Sequence, residues 1–229
     1  MSTAIRGISS MATRELLAAL ATAYGQRAGE AVQIESVGGV DAARRVQAGE
    51  AFDFVVLASD AIDRLAAGGA VLAGSKADLV HSPVAVAVRA GAALPDLGSE
   101  DTLRRAVQAA ASIGYSTGPS GTALLRLFER WGLAAELQPR LVQAPPGVPV
   151  GTLVAKGEVA LGFQQLSELI HLDGIALAGV LPPPVAIITT FSGAVCAGSS
   201  RAEAARRLLA FMACPEADSA KRRQGMEPA

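Results

Sequence analysis

The chain of 229 residues carries 20 Lys and Arg against 21 Asp and Glu, a formal net charge of −1, so it lacks the basic surplus of a nucleic-acid binder. Its hydrophobic content of 51% includes only 4% aromatics, and this Ala, Val and Leu mixture suits helices over buried parallel strands. Mean hydropathy is +0.36, yet no apolar run approaches the roughly 18 residues that a membrane span needs.

Apolar runs and helical patterns alternate along the chain. A first strand begins at Ile5, so close to the start that no signal peptide precedes it; the sequence as written reads as cytoplasmic, or as periplasmic if a signal peptide has been removed. The helix Thr13–Ala23 shows Leu16, Leu17 and Leu20 on one face, with Gly25 as its expected end. Strand Val32–Val37, the pair Gly38 and Gly39, helix Asp41–Ala48, strand Phe54–Leu57 and helix Asp60–Ala67 follow, the last stopped by Gly68 and Gly69. Val80–Val88 reads as a strand, and Pro83 within it marks a sheet edge or a crossing between domains. Next come helix Leu103–Ala110, strand Ser112–Tyr115 and helix Thr122–Trp131. A proline-rich stretch from Ala144 to Val150 leads into a short helix ending near Lys156. Strand Val159–Phe163, helix Leu166–Ile170 and strands Ile175–Val180 and Val185–Phe191 precede the closing helices Arg201–Ala213 and Glu216–Gln224. Lys221, Arg222 and Arg223 read as a solvated helix face, and Phe128 and Trp131 as core. Such alternation predicts an α/β fold of open, mostly parallel sheets with helices on both faces, where ligands sit at the carboxyl ends of strands.

Two hydroxyl-rich turns stand at strand-to-helix junctions: I-S-S-M-A-T from Ile8 to Thr13, and Y-S-T-G-P-S-G-T from Tyr115 to Thr122. The first amides of a helix have no internal partner, and the macrodipole adds partial positive charge there, so such an end receives an anion without Lys or Arg. Each hydroxyl taken singly also reads as an ordinary N-cap. Two such turns in one chain point to two lobes closing on a small anionic ligand.

Catalytic motifs are sparse. Gly118–Thr122 misses the G-x-S-x-G elbow because Thr122 replaces its last glycine, and neither a P-loop nor G-x-G-x-x-G occurs. His81 and His171 lie far apart without acidic clusters, so no metal site and no cofactor are expected. His81 is the single base that can be named, against its reading as a hydrogen-bonded structural histidine. Arg89 and Lys156 read as solvated. Cys196 and Cys214 lack ligand spacing and read as free thiols, with a pairing between them left open.

Four patches in order resemble the type 2 periplasmic-binding-protein superfamily, and in particular the molybdate-binding subunit of ABC transporters. They are the opening strand with Ser9, Ser10 and its helix; E-S-V-G-G-V with G-E-A-F-D-F-V-V-L-A-S-D; K-G-E-V-A-L-G-F-Q-Q-L-S-E-L; and the closing A-A-R-R-L-L-A-F-M-A-C-P-E-A. The resemblance implies a two-lobed fold with a ligand cleft between the lobes. Lobe one would take residues 1–80 plus 192–229 and lobe two 81–191, with crossings near 81–84 and 189–192. It also implies a binding set of Ser9, Ser10, Gly38 and Gly39 from lobe one. Lobe two would add Ser120, Gly121, Thr122, Val150, Gln164 and Gln165. Gly38 and Gly39 stand where the family offers a serine, and Gln165, beside Gln164, where it has a tyrosine. Segment Gln165–Ile175 is similar to a branch of this fold that acts as aconitate isomerase. The implied function is capture of a small oxyanion or carboxylate, with an ABC permease as partner. The alternatives are an isomerase of an unsaturated polycarboxylate such as aconitate, and a cytoplasmic ligand sensor.

Overall fold

The computed structural model describes residues 4–145 and 147–229. In chain order it contains β1 (Ile5–Ser10), α1 (Arg14–Ala28), β2 (Val32–Val37), α2 (Gly39–Gln47), β3 (Phe54–Ala58), α3 (Ser59–Ala67) and β4 (Ala77–Arg89). Next come α4 (Glu100–Ala109), β5 (Ile113–Tyr115), α5 (Pro119–Arg130), α6 (Ala134–Leu137), β6 (Leu141–Gln143), α7 (Val150–Ala155), β7 (Leu161–Gln165) and α8 (Leu166–Leu169). The chain ends with β8 (Ile175–Val180), β9 (Ile188–Val195), α9 (Ala202–Ala213), α10 (Asp218–Arg223) and β10 (Glu227–Pro228). Two compact units result: the chain up to His81 together with Thr190–Ala229, and Ser82–Thr189.

In the first unit β1 lies parallel to both β2 and β3, and β9 closes antiparallel on β3. Every residue of β3 is buried, and its side chains alternate between two cores, as a period of two requires. Phe54 and Val56 join Leu16, Leu17, Leu208, Leu209 and Met212 on one face. Val55 and Leu57 join Ile8, Val46, Ile62 and Leu65 on the other.

The second unit is built the same way around β5, which is parallel to β6 and β7, while β4 runs antiparallel to β7 and β8. Val84, Val86 and Val88 of β4 pack with Leu103, Leu124, Phe128, Trp131 and Leu161; Ala85 and Ala87 face the smaller group around Leu169. Gly114 and Gly162 are register partners in β5 and β7, and a Cβ would collide with Val150 at the first and with Val154 at the second, both fully buried on α7. Two bare positions in adjacent strands thus form the seat that draws α7 onto the sheet.

Several boundaries differ from expectation for local reasons. Helix α1 runs through Gly25 and stops where Gly29, at φ 66°, takes the left-handed conformation and donates to the Gly25 carbonyl; only glycine adopts this freely. Strand β9 begins at Ile188 rather than Val185, because Pro182, Pro183 and Pro184 lack amide donors and a 3-10 turn forms over Pro183–Val185. Helix α5 starts at Pro119 rather than Thr122, with proline in the first turn, where no amide partner exists anyway. Lys221 is not solvated: it is 1% exposed, and its ammonium reaches Asp218 at 3.2 Å. Cys196 and Cys214 are free thiols, and among the described residues no helix is long and apolar enough to cross a membrane.

Candidate functional site

In the first unit the strand ends gather three helix starts. Ser9 pairs with Ser36 and Ser10 with Val37 in the parallel register of β1 and β2, which carries the chain from β1 into the turn Met11–Thr13 and from β2 into α2 through Gly38. Ser9 is completely buried, and its hydroxyl meets the Ser36 hydroxyl at 2.8 Å and the Ser10 carbonyl at 3.3 Å. Ser10 differs from it. It occupies the N-cap position of the turn, yet its hydroxyl caps no amide, and among the described residues its buried Oγ has no hydrogen-bond partner. Buried hydroxyls are nearly always satisfied, and an orphan costs about 1–3 kcal/mol. Ordinary capping therefore does not explain Ser10.

The glycines frame this hydroxyl. A Cβ on Gly39 would stand 3.6 Å from the Ser10 Cβ, whereas one on Gly38 would meet nothing within 4 Å. The approach to the start of α2 is open, and neither Gly38 nor Ala58, the caps of α2 and α3, carries a side-chain cap bond. Val40, next in line, is 70% exposed. His81 lies in this unit, its Nδ1 at 3.0 Å from the Thr190 hydroxyl, so it ties β4 to β9 as a structural histidine does.

In the second unit the residues expected to bind are gathered at the ends of β5 and β7 and the starts of α5 and α7. Ser120 is buried and its hydroxyl lies 3.1 Å from that of Ser116. Gly121 is a packing residue: a Cβ there would fall 1.9 Å from the Ser116 carbonyl oxygen. The Thr122 amide already donates to the Gly118 carbonyl. Val150 opens α7, and the next amide, Gly151, reaches Gln164 Oε1 at 3.4 Å.

Both glutamines are 3% exposed and engaged within the unit. Gln164 Nε2 donates to Glu168 Oε1 at 2.8 Å. The Gln165 orientation that satisfies both ends of its amide has nitrogen donating to the Ser82 hydroxyl at 2.9 Å and oxygen accepting from Thr189 at 2.7 Å, an assignment made from the hydrogen-bond network. Gln165 thus binds the two chain segments at which this unit begins and ends. Burial pushes the Glu168 carboxyl up to about 7, against a smaller opposing effect of the Gln164 hydrogen bond.

Glu168, Ser36 and Ser116 carry no motif that marks them in the sequence. Glu168 stands in Q-Q-L-S-E-L, three residues beyond the amide pair, and the shift of β7 by two residues turned this stretch into strand end and helix start. Ser36 follows from alternation in β2, which puts it on the face of Val32 and Ile34, and the parallel register sets it beside Ser9. Among the described residues no three His, Cys, Asp or Glu side chains are grouped to hold a metal ion.

An aconitate isomerase from a Pseudomonas species is 39% identical over 185 residues, covering 80% of this chain and 70% of that protein. In fold the chain is similar to the periplasmic molybdate-binding protein of Azotobacter vinelandii, with a TM-score of 0.80 and 20% identity over 97% of this chain and 98% of that one. It is similar in the same way to the sulfate-binding protein of Mycobacterium tuberculosis, with a TM-score of 0.79 and 18% identity over 100% and 88%. Residues 5–227 match the bacterial extracellular solute-binding protein family, and the chain belongs to that family, with the type 2 periplasmic-binding-protein fold.

Proposed function

We propose that this protein reversibly binds a small anion, and that the anion is an organic carboxylate of the aconitate class rather than molybdate. The observation that carries the reading is the buried hydroxyl of Ser10, unpartnered among the described residues, where β1 gives way to the turn Met11–Thr13 that leads into α1. A donor left orphaned at the positive end of a helix gains its missing hydrogen bond when an anion arrives. Open space at Gly38 supports close approach of ligand to backbone. The exposed Val40 beside it offers apolar contact to a carbon skeleton, which a bare oxyanion lacks. The carboxyl of Glu168, without an ion-pair partner among the described residues, disfavours a compact dianion in the second unit. Delivery to an ABC permease is the corresponding cellular role.

Calorimetric titration with cis- and trans-aconitate, molybdate and sulfate tests the proposal, because a ligand that binds only the folded state also raises the melting temperature. Aconitate binding with silent oxyanions is expected. Tight molybdate binding with silent carboxylates would reject it. Isomerisation of the bound carboxylate is the second reading, favoured by the 39% identity to an aconitate isomerase.

A further inference from the structure

We infer that the second unit carries a ligand site of its own, a groove between α5 and the chain leading into β9 that takes a small amphiphilic anion. Its carboxylate sits on Arg126 and Arg130, and its aliphatic body runs along Val185 and Ile188. The site is independent of the Ser10 reading and lies almost entirely on the segment Ser82–Thr189 that forms this unit. The groove measures about 470 Å³, within the roughly 300–1,000 Å³ of small-molecule sites. Buried Leu127 and Val185, members of the unit's main core, form its floor, with Ile187 packed against that core beside them. Ile188, 60% exposed, forms its rim.

Charge decides what the groove admits. Arg126 and Arg130 line it, and no Asp or Glu does. Exposed arginines on other helices meet a carboxylate three or four residues away: Arg44 on Asp41, Arg64 on Asp60, Arg206 on Glu203. Among the described residues Arg126 and Arg130 form no ion pair, although Glu129 lies on the same helix. Residues four apart on a helix are neighbours, about 5–6 Å between Cβ atoms, and like charges there destabilise it. Arg130, in the last turn of α5, gains from the helix dipole. Arg126, a turn earlier, does not. An anion between the two guanidiniums removes their repulsion, and a planar carboxylate matches the guanidinium fork. Apolar walls beside two unpaired forks favour an anion joined to a hydrocarbon body over a bare oxyanion or a cation.

Calorimetric titration with octanoate tests the site, with acetate, octylammonium and trans-aconitate as further titrants. Octanoate is expected to bind the wild type, while acetate and octylammonium at the same concentrations stay silent. The double variant R126Q/R130Q is expected to weaken octanoate at least about tenfold, and I188S about threefold. Melting temperatures are expected to hold, because all three side chains are exposed. Affinity for trans-aconitate is expected to match the wild type in both variants, since Ser10 and Gly38 are untouched. Octanoate binding unchanged in R126Q/R130Q would overturn the inference, as would octylammonium binding as well as octanoate. Octanoate displaced by trans-aconitate would place it at the first unit's site and overturn the inference too. Octanoate silent, with phosphatidylglycerol vesicles bound by the wild type and not by R126Q/R130Q, would assign the arginine pair to a membrane surface and overturn it likewise. The Ser10 reading is decided separately, by the aconitate titration of the wild type.

Discussion

The two units share a plan, a parallel trio of strands with helix starts at the carboxyl ends, but they treat their polar groups in opposite ways. The first unit leaves the buried Ser10 hydroxyl without a partner among the described residues, with open space at Gly38. In the second unit the polar side chains at the ends of β5 and β7 are bonded internally, Ser116 with Ser120, Gln164 with Glu168, Gln165 with Ser82 and Thr189, and its unpartnered buried atom among the described residues is Arg104 Nε, away on α4. An unmet donor is a demand for a ligand, whereas a closed network fixes geometry and can tune one ionisable member. The first unit is therefore built to receive charge, and the second to hold a carboxyl whose charge changes.

The largest test of this contrast is Gly121→Ala. A methyl placed 1.9 Å from a backbone carbonyl oxygen forces the turn before α5 to move, at a cost of about 3 kcal/mol or more. At roughly 2–4 °C per kcal/mol for a chain of this size, thermal unfolding is expected to drop by at least several degrees. An unchanged melting temperature would mean that the second unit's turn is not the rigid element described.

Next in size is the pH dependence carried by Glu168. Its folded-state value of about 7 lies above the ordinary 4.5, so folding favours the protonated form. The stability this contributes is fully present below about pH 4.5 and is lost as pH rises through 7, by at most about 3 kcal/mol. E168Q keeps the acceptor for Gln164 but not the charge. Its denaturant midpoint is expected to exceed that of the wild type at pH 8 and to match it at pH 4.5. Equal midpoints at both values would show that Glu168 is not desolvated.

How much of this was legible in the sequence follows from what each feature depends on. Hydrophobic period located β2 and β8 to the residue, and glycine pairs stopped α3, because those signals are local. The hydroxyl-rich turns also announced themselves. What could not be read was occupancy. Ser9 and Ser10 look alike in the chain, yet parallel pairing with β2 supplies Ser36 to one and nothing to the other. Likewise Gln164 and Gln165 read as amide donors for a ligand, while the fold engages both internally. Lys221 looked solvated because its three-residue basic run gives no sign that one of the three is buried, 1% exposed, with its ammonium on Asp218.

That difference in occupancy sharpens into a pair of serine variants. Ser10→Ala removes a hydroxyl with no bond among the described residues, so stability is expected to hold or rise slightly. Loss of one hydrogen bond to a charged ligand weakens affinity by about 1.5–3 kcal/mol, roughly ten- to hundredfold. Ser120→Ala instead breaks the bond to Ser116, and about 0.5–1.5 kcal/mol of stability is expected to go with affinity changed by less than about threefold. Calorimetry on both, with equal losses of affinity, would erase the distinction between the units.

The smallest structural effect is the most discriminating. Gly38 caps α2 at φ −57° and ψ 134°, a conformation open to any residue, and a methyl there touches nothing within 4 Å. Gly38→Ala restricts the unfolded chain, which stabilises by about 0.4–1 kcal/mol, while alanine is a poorer cap than glycine; the two effects offset, and the melting temperature is expected to stay within about 2 °C. A ligand that comes up against this backbone meets the methyl directly, so affinity is expected to fall at least tenfold in a protein as stable as the wild type. Unchanged affinity in Gly38→Ala, set beside a large loss in Ser10→Ala, would confine the ligand to the turn Met11–Thr13 and take the α2 junction out of the binding face.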